Sequence, residues 1–167
     1  MATSNKLSRY ALSCGLLLIP AIAWNLAFTG KLMPAYAMSE FWRDVPAPLI
    51  MIENVFRTLV FALPFAMPLH IATKRDRRAL FAFVLGTLVY FASWLALIYW
   101  PSSSWSSSVL GSLAPVYTPI LWLPSLAVLG KSLFWGHAYR WWMYLIVSVG
   151  FLAAHITHGA IVYGRSS

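Results

Sequence analysis

The chain has 167 residues, of which 60% are hydrophobic and 10% charged, and a mean hydropathy of +0.72. A soluble domain carries about 25% charged residues, so this chain lacks the polar surface to cover a water-exposed globule. Its net charge of +8 is not a nucleic-acid footprint. The basic residues stand at the ends of apolar segments, where orientation signals and anionic lipid headgroups account for them.

The expected fold is all-α: a polytopic membrane helix bundle, one integral membrane domain over residues 1–167. Five transmembrane helices are expected, each near the ~20 residues needed to cross, with a short interfacial helix on the outer side. The first span covers about 8–29. Lys6 and Arg9 precede its apolar run and "AYA" at 35–37 resembles a signal-peptidase site. However, the apolar run from Tyr10 to Phe28 exceeds the ~7–15 residues of a signal core, so the helix is expected to be retained. The single cysteine, Cys14, excludes an intrachain disulfide and reads as a small packing residue.

The connection 30–47 carries Met38, Phe41, Trp42 and Val45 at i, i+3, i+4 and i+7, with Ser39, Glu40, Arg43 and Asp44 on the other face. Pro34 suits a helix start and Pro46 a stop. This predicts an interfacial helix over 34–45, apolar face down, serving as a spacer or as a lid over something beneath.

The second span, 48–72, contains "IENVFRTLV" and two prolines, Pro64 and Pro68. The short loop "TKRDRR" (73–78) follows, then the third span, 79–100. "PSSSWSSS" (101–108) reads as a flexible connector with one interfacial Trp. The fourth span, 109–130, holds Pro115, Pro119 and Pro124. Each removes a backbone donor, which predicts a kinked helix. The fifth span covers 140–163. The two halves of the chain show no repeat, against an inverted-repeat transporter.

Lys6, Arg9, Lys74, Arg75, Arg77, Arg78, Lys131 and Arg140 fall on one side of this arrangement; only Lys31, Arg43 and Arg165 fall on the other. The positive-inside rule then predicts a multi-pass protein of the cell (inner) membrane, N-terminus cytoplasmic and C-terminus extracytoplasmic. Trp141, Trp142 and Tyr144 at the inner edge, with Tyr99, Trp100, Trp105 and Tyr163 at the outer, agree with it.

Glu53 and Arg57 stand four apart on one helical face and can pair. Charges inside a span normally face the bundle interior or a wet cavity. At 1.5 Å per residue, Glu53 and Arg57 lie roughly 7 and 13 Å below the outer end of their helix, and His158 and His155 roughly 7 and 12 Å below the outer end of theirs. Asn25, Tyr117 and Thr118 fall in the same layer. The expected site is a polar pocket in the outer-leaflet half, lined by Glu53, Asn54, Arg57, His155, His158, Asn25, Tyr117 and Thr118. The alternative is a buried network that only fixes helix register.

His155 and His158 with Glu53 have the spacing to hold an ion, but Arg57 opposes a cation, and no metal is expected. His70 and His137 lie at the wrong depth to oppose them across a haem. No cofactor is specified. "ENVFR" and "FLAAH" resemble the E-E-x-x-x-R and F-x-x-x-H motifs of the CAAX-protease-like intramembrane family, but Ile52 replaces the first glutamate and the third motif is absent, so membership is not assigned. Size, five helices and nine tryptophans resemble the tryptophan-rich sensory protein family, without matching its motifs. The leading expectation is a protein that binds a lipid or small amphiphilic molecule within the lipid bilayer. Alternatives are a membrane-embedded enzyme using Glu53, His155 and His158 for acid–base or metal chemistry, and an accessory subunit packed against a membrane protein partner.

Overall fold

A computed structural model describes residues 12–32, 38–135 and 139–166. All described elements are helical, apart from isolated bridges. Four helices are long and apolar enough to cross a membrane: α1 (Cys14–Lys31), α3 (Ala47–Ala66), α4 (Lys74–Tyr99) and α8 (Trp141–Ser166). One helical turn, α2 (Met38–Phe41), lies between the first two. Two more turns, α5 (Ser104–Ser107) and α6 (Val109–Ser112), lead into a broken apolar stretch, α7 (Ala114–Leu129).

The expected spans shift where local chemistry overrides apolar length. The first begins as a 3-10 turn at Cys14; residues 8–11 lie outside the described residues. The second stops at Ala66, not at 72. Pro64 and Pro68 end it: the residue before a proline is driven out of the helical region, and Met67 is extended, with φ −102° and ψ 118°. Residues 67–69 then run as a short clasp. Cys14 N–H donates to the Met67 carbonyl (2.8 Å) and Leu69 N–H to the Leu12 carbonyl (2.8 Å), while Leu69 pairs with Gly130 in an isolated bridge.

The expected loop "TKRDRR" is instead the first turn of α4. Thr73 caps it, accepting from Asp76 N–H (3.2 Å), and the Asp76 carboxylate accepts from Thr73 N–H (2.9 Å). This reciprocal box satisfies two of the donors that a helix start leaves open. The Ser-rich connector is likewise built, not slack. Ser103 caps α5 and Ser108 caps α6, and buried Ser106 donates to the Ala96 carbonyl at the end of α4 (3.2 Å). Gly111 is required there, since a Cβ would lie 1.8 Å from the Trp105 carbonyl oxygen.

The fourth expected span is broken further than a kink. Pro115, Pro119 and Pro124 each stand at the start of a new short piece, with a 3-10 turn at Thr118–Leu121 between two α-helical pieces. Lacking an N–H, proline is tolerated in a first turn and disruptive later. Gly86 of α4 lets this stretch approach closely: a Cβ there would meet the Leu121 backbone at 2.9 Å.

α3 and α8 pack antiparallel. Phe56 lies on Gly150, where a Cβ would come within 2.7 Å of the ring. Pro64 cannot donate to the Val60 carbonyl, and the buried Tyr144 hydroxyl does so instead, at 3.0 Å. Freed carbonyls in apolar surroundings need such neighbours. The core runs through Leu18, Val60, Phe83, Tyr90, Trp122, Leu126 and Tyr144. Large apolar side chains cover the outward faces of the long helices, among them Leu26, Met51, Phe81 and Ile146.

One end of the bundle gathers α2, α5 and the end of α8: Arg165 donates to the Glu40 carbonyl (2.9 Å) and Tyr163 to that of Ser107 (3.3 Å). The other end gathers the 67–69 clasp, the start of α4 and Lys131. Of the expected helix over 34–45, residues 34–37 lie outside the described residues; 38–41 form the turn α2, and 42–44 turn back through Asp44 at φ 53°.

Candidate functional site

Glu53 projects from α3 into the seam with α8 and is fully buried. Its two oxygens meet three partners. Oε1 accepts from the Arg57 guanidinium, one turn along α3, and from His155 Nδ1 (2.7 Å). Oε2 faces His158 Nδ1 at 2.5 Å. His155 and His158 stand i, i+3 on α8, so one carboxylate bridges both rings.

The histidine tautomers follow from their acceptors. His158 Nε2 lies 2.8 Å from the Phe41 carbonyl, and a carbonyl only accepts, so Nε2 carries a proton. The ring's other nitrogen, Nδ1, meets Glu53 Oε2, so His158 links the Phe41 carbonyl to the carboxylate. His155 is different: donating Nδ1–H to Glu53 leaves its Nε2 as an acceptor.

The segment after α1 closes over this cluster. Phe41 stacks on His158 (4.1 Å between ring centres), Trp42 meets the same ring edge-on (4.8 Å), and Arg57 lies over Trp42 at 5.3 Å. Arginine above an indole face is a cation–π contact. Phe151 stacks on His155 from one turn earlier in α8 (5.0 Å).

Beside the cluster lies a cavity of about 320 Å³. Its walls are aromatic and apolar: Phe41, Trp42, Phe61, Tyr90, Trp94, Trp122 and Phe151. Its polar side chains include Asn25, Thr29, Arg57, Ser112 and His155. Asn25 accepts from the Tyr90 hydroxyl, which ties α1 to α4.

The expected residues divide. Arg57, His155 and Asn25 line the cavity; Glu53 and His158 are buried behind that wall and hold it. Asn54 does not belong to the lining: it is exposed on another face of α3. Thr118 is buried, its hydroxyl on the Ala114 carbonyl (2.7 Å), and neither it nor Tyr117 lines the cavity. Pro115, Val116 and Pro119 line it instead.

The aromatic wall itself was not anticipated. Its signal was present in "YFASWLAL", where Tyr90, Trp94 and Leu97 recur at i, i+4 and i+7 on one face of α4. Among the described residues, no group of three or more His, Cys, Asp or Glu is placed to hold a metal ion. The Glu53–histidine contacts are direct hydrogen bonds. No protein-family model, curated protein or solved structure matches the chain.

Proposed function

We propose that this chain is an integral protein of the cell (inner) membrane that binds a lipid or another small amphiphilic molecule in the aromatic cavity. In this reading the bundle crosses the bilayer five times, with the broken α7 stretch as the fourth crossing. The end bearing α2 and the end of α8 is extracytoplasmic, and α2 with its following turn lies over the cavity at the outer interface.

The observation that carries the reading is an arginine in the wall of a largely aromatic and apolar cavity. Arg57 is 31% exposed, while its counter-ion Glu53 is fully buried. The volume stands at the low end of the roughly 300–1,000 Å³ usual for small-molecule clefts. Aromatic walls suit an apolar body. The guanidinium offers donors to an acceptor or anionic head, and Asn25 and His155 add polar contacts.

The test is to purify the chain in mild detergent, extract it with solvent and identify co-purifying amphiphiles by mass spectrometry. One species should recur at near-equimolar ratio and be depleted by Arg57→Gln or Trp42→Ala. Loss of neither, or no recurring species, defeats the reading. Co-purification of a second membrane protein in place of an amphiphile would favour an accessory subunit.

A second reading has one specific observation behind it. A carboxylate holding the Nδ1–H of a histidine on a cavity wall is the arrangement that prepares Nε2 as a general base. The extracted amphiphile separates the two. A binder returns it chemically unchanged after incubation with fresh protein; an enzyme converts it, and Glu53→Gln stops the conversion.

A further inference from the structure

A second cavity, of about 530 Å³, lies at the opposite end of the bundle and shares no lining residue with the first. Arg75, Lys131 and Arg140 line it, with Asp76 as its carboxylate. Lys131 is held in place: its Nζ sits 2.8 Å from Oδ2 of fully buried Asp76, which the Thr73 cap fixes in turn. Arg75 and Arg140 are exposed. Three cations against one carboxylate leave an excess of two positive charges. Two long helices also begin here, α4 at Lys74 and α8 at Trp141, and their N-terminal dipole ends add positive potential. Trp141 and Trp142 join the lining with exposed indoles, the side chains enriched where a membrane meets water.

We propose that this cavity binds the phosphate of an anionic lipid headgroup, with the Arg75 and Arg140 guanidiniums and the Lys131 ammonium as donors. Guanidinium forks match phosphate oxygens in pairs, and basic pockets between membrane helices take such headgroups. A general attraction of basic loops to an anionic surface would draw equally on Arg77 and Arg78. Those two stand two and three residues beyond Arg75 and are exposed, but do not line the cavity.

Full-length chain would be placed in phosphatidylcholine nanodiscs containing a minor fraction of phosphatidic acid, and lipid retention read by native mass spectrometry. One phosphatidic acid should be retained per chain, in preference to phosphatidylcholine. At about 1 kcal/mol per cation, Arg75→Gln with Arg140→Gln should weaken retention on the order of 25-fold. Arg77→Gln with Arg78→Gln removes the same charge from outside the cavity and should weaken retention clearly less. Inorganic phosphate, titrated in detergent without lipid, identifies the source: binding of phosphate with no preference for phosphatidic acid means a free phosphate ligand. Equal retention of the two lipids with no phosphate binding overturns the proposal. So does an equal loss in the two double variants. The lipid preference of the unmodified chain stands even if the Arg75 and Arg140 variant fails to fold.

Discussion

Glu53 satisfies three donors with two oxygens in a fully buried setting, so its removal strands more than one group. Breaking a buried ion pair by deleting one partner costs about 3–5 kcal/mol. Glu53→Ala should destabilise the chain by that order in thermal unfolding in detergent. Adding Arg57→Ala should recover part of the loss, because the orphaned guanidinium goes too; a double variant as unstable as the sum of the singles would mean the two do not couple. Tyr144→Phe should cost about 1–3 kcal/mol, the usual penalty of an unsatisfied buried acceptor, since it strips the Val60 carbonyl of the donor that replaces Pro64. An unchanged melting temperature would show another donor reaching Val60. At this scale the sequence disclosed depth and hid direction. Glu53, Arg57, His155 and His158 were legible because their heights matched on antiparallel passes. Asn54 has the right height but stands about 100° around the helix from Glu53, and nothing in its own segment indicated which side faced the seam.

Between elements, the α3–α8 contact depends on Gly150 receiving the Phe56 ring. Gly150→Ala should cost about 1–3 kcal/mol as overpacking, and Phe56→Leu should relieve it. If Gly150→Ala alone is neutral, the ring moves aside and the seam is looser than described. Apolar length located the long helices but misjudged their ends. Pro64 and Pro68 shorten α3, and the Thr73–Asp76 box lengthens α4 into what charge alone marked as a loop. The serines of 103–108 were readable as caps only with the chain they cover in view, since a cap and a flexible linker draw on the same residue type.

Across the whole molecule, the proposed topology has a direct measurement. A reporter fused after Ser167 should be extracytoplasmic, and one inserted in the 131–140 connection cytoplasmic. A cytoplasmic C-terminal reporter would mean an even number of crossings. Cysteine pairs probe the packing independently: Glu53→Cys with His158→Cys, in a Cys14→Ser background, should join through a short reagent, while Arg57→Cys with His70→Cys should not. Grouping of the chain's turns into two ends was legible from alternation of apolar segments. The clasp of residues 12–14, 67–69 and 130 was not, because backbone pairing between distant segments leaves little mark on composition.

That clasp sets an order of assembly. It is joined by backbone hydrogen bonds, from Cys14 to Met67 and from Leu69 to Leu12, so proline at 14 or 69 removes a donor outright. Leu69 also waits for Gly130, some sixty residues later in synthesis. The first two helices can meet and hydrogen-bond here as soon as both have left the ribosome, but Leu69 gains its Gly130 partner only once most of the chain has been made. A nascent chain stalled before Gly130 should therefore expose residues 67–69 to proteolysis, and release of the full chain should protect them.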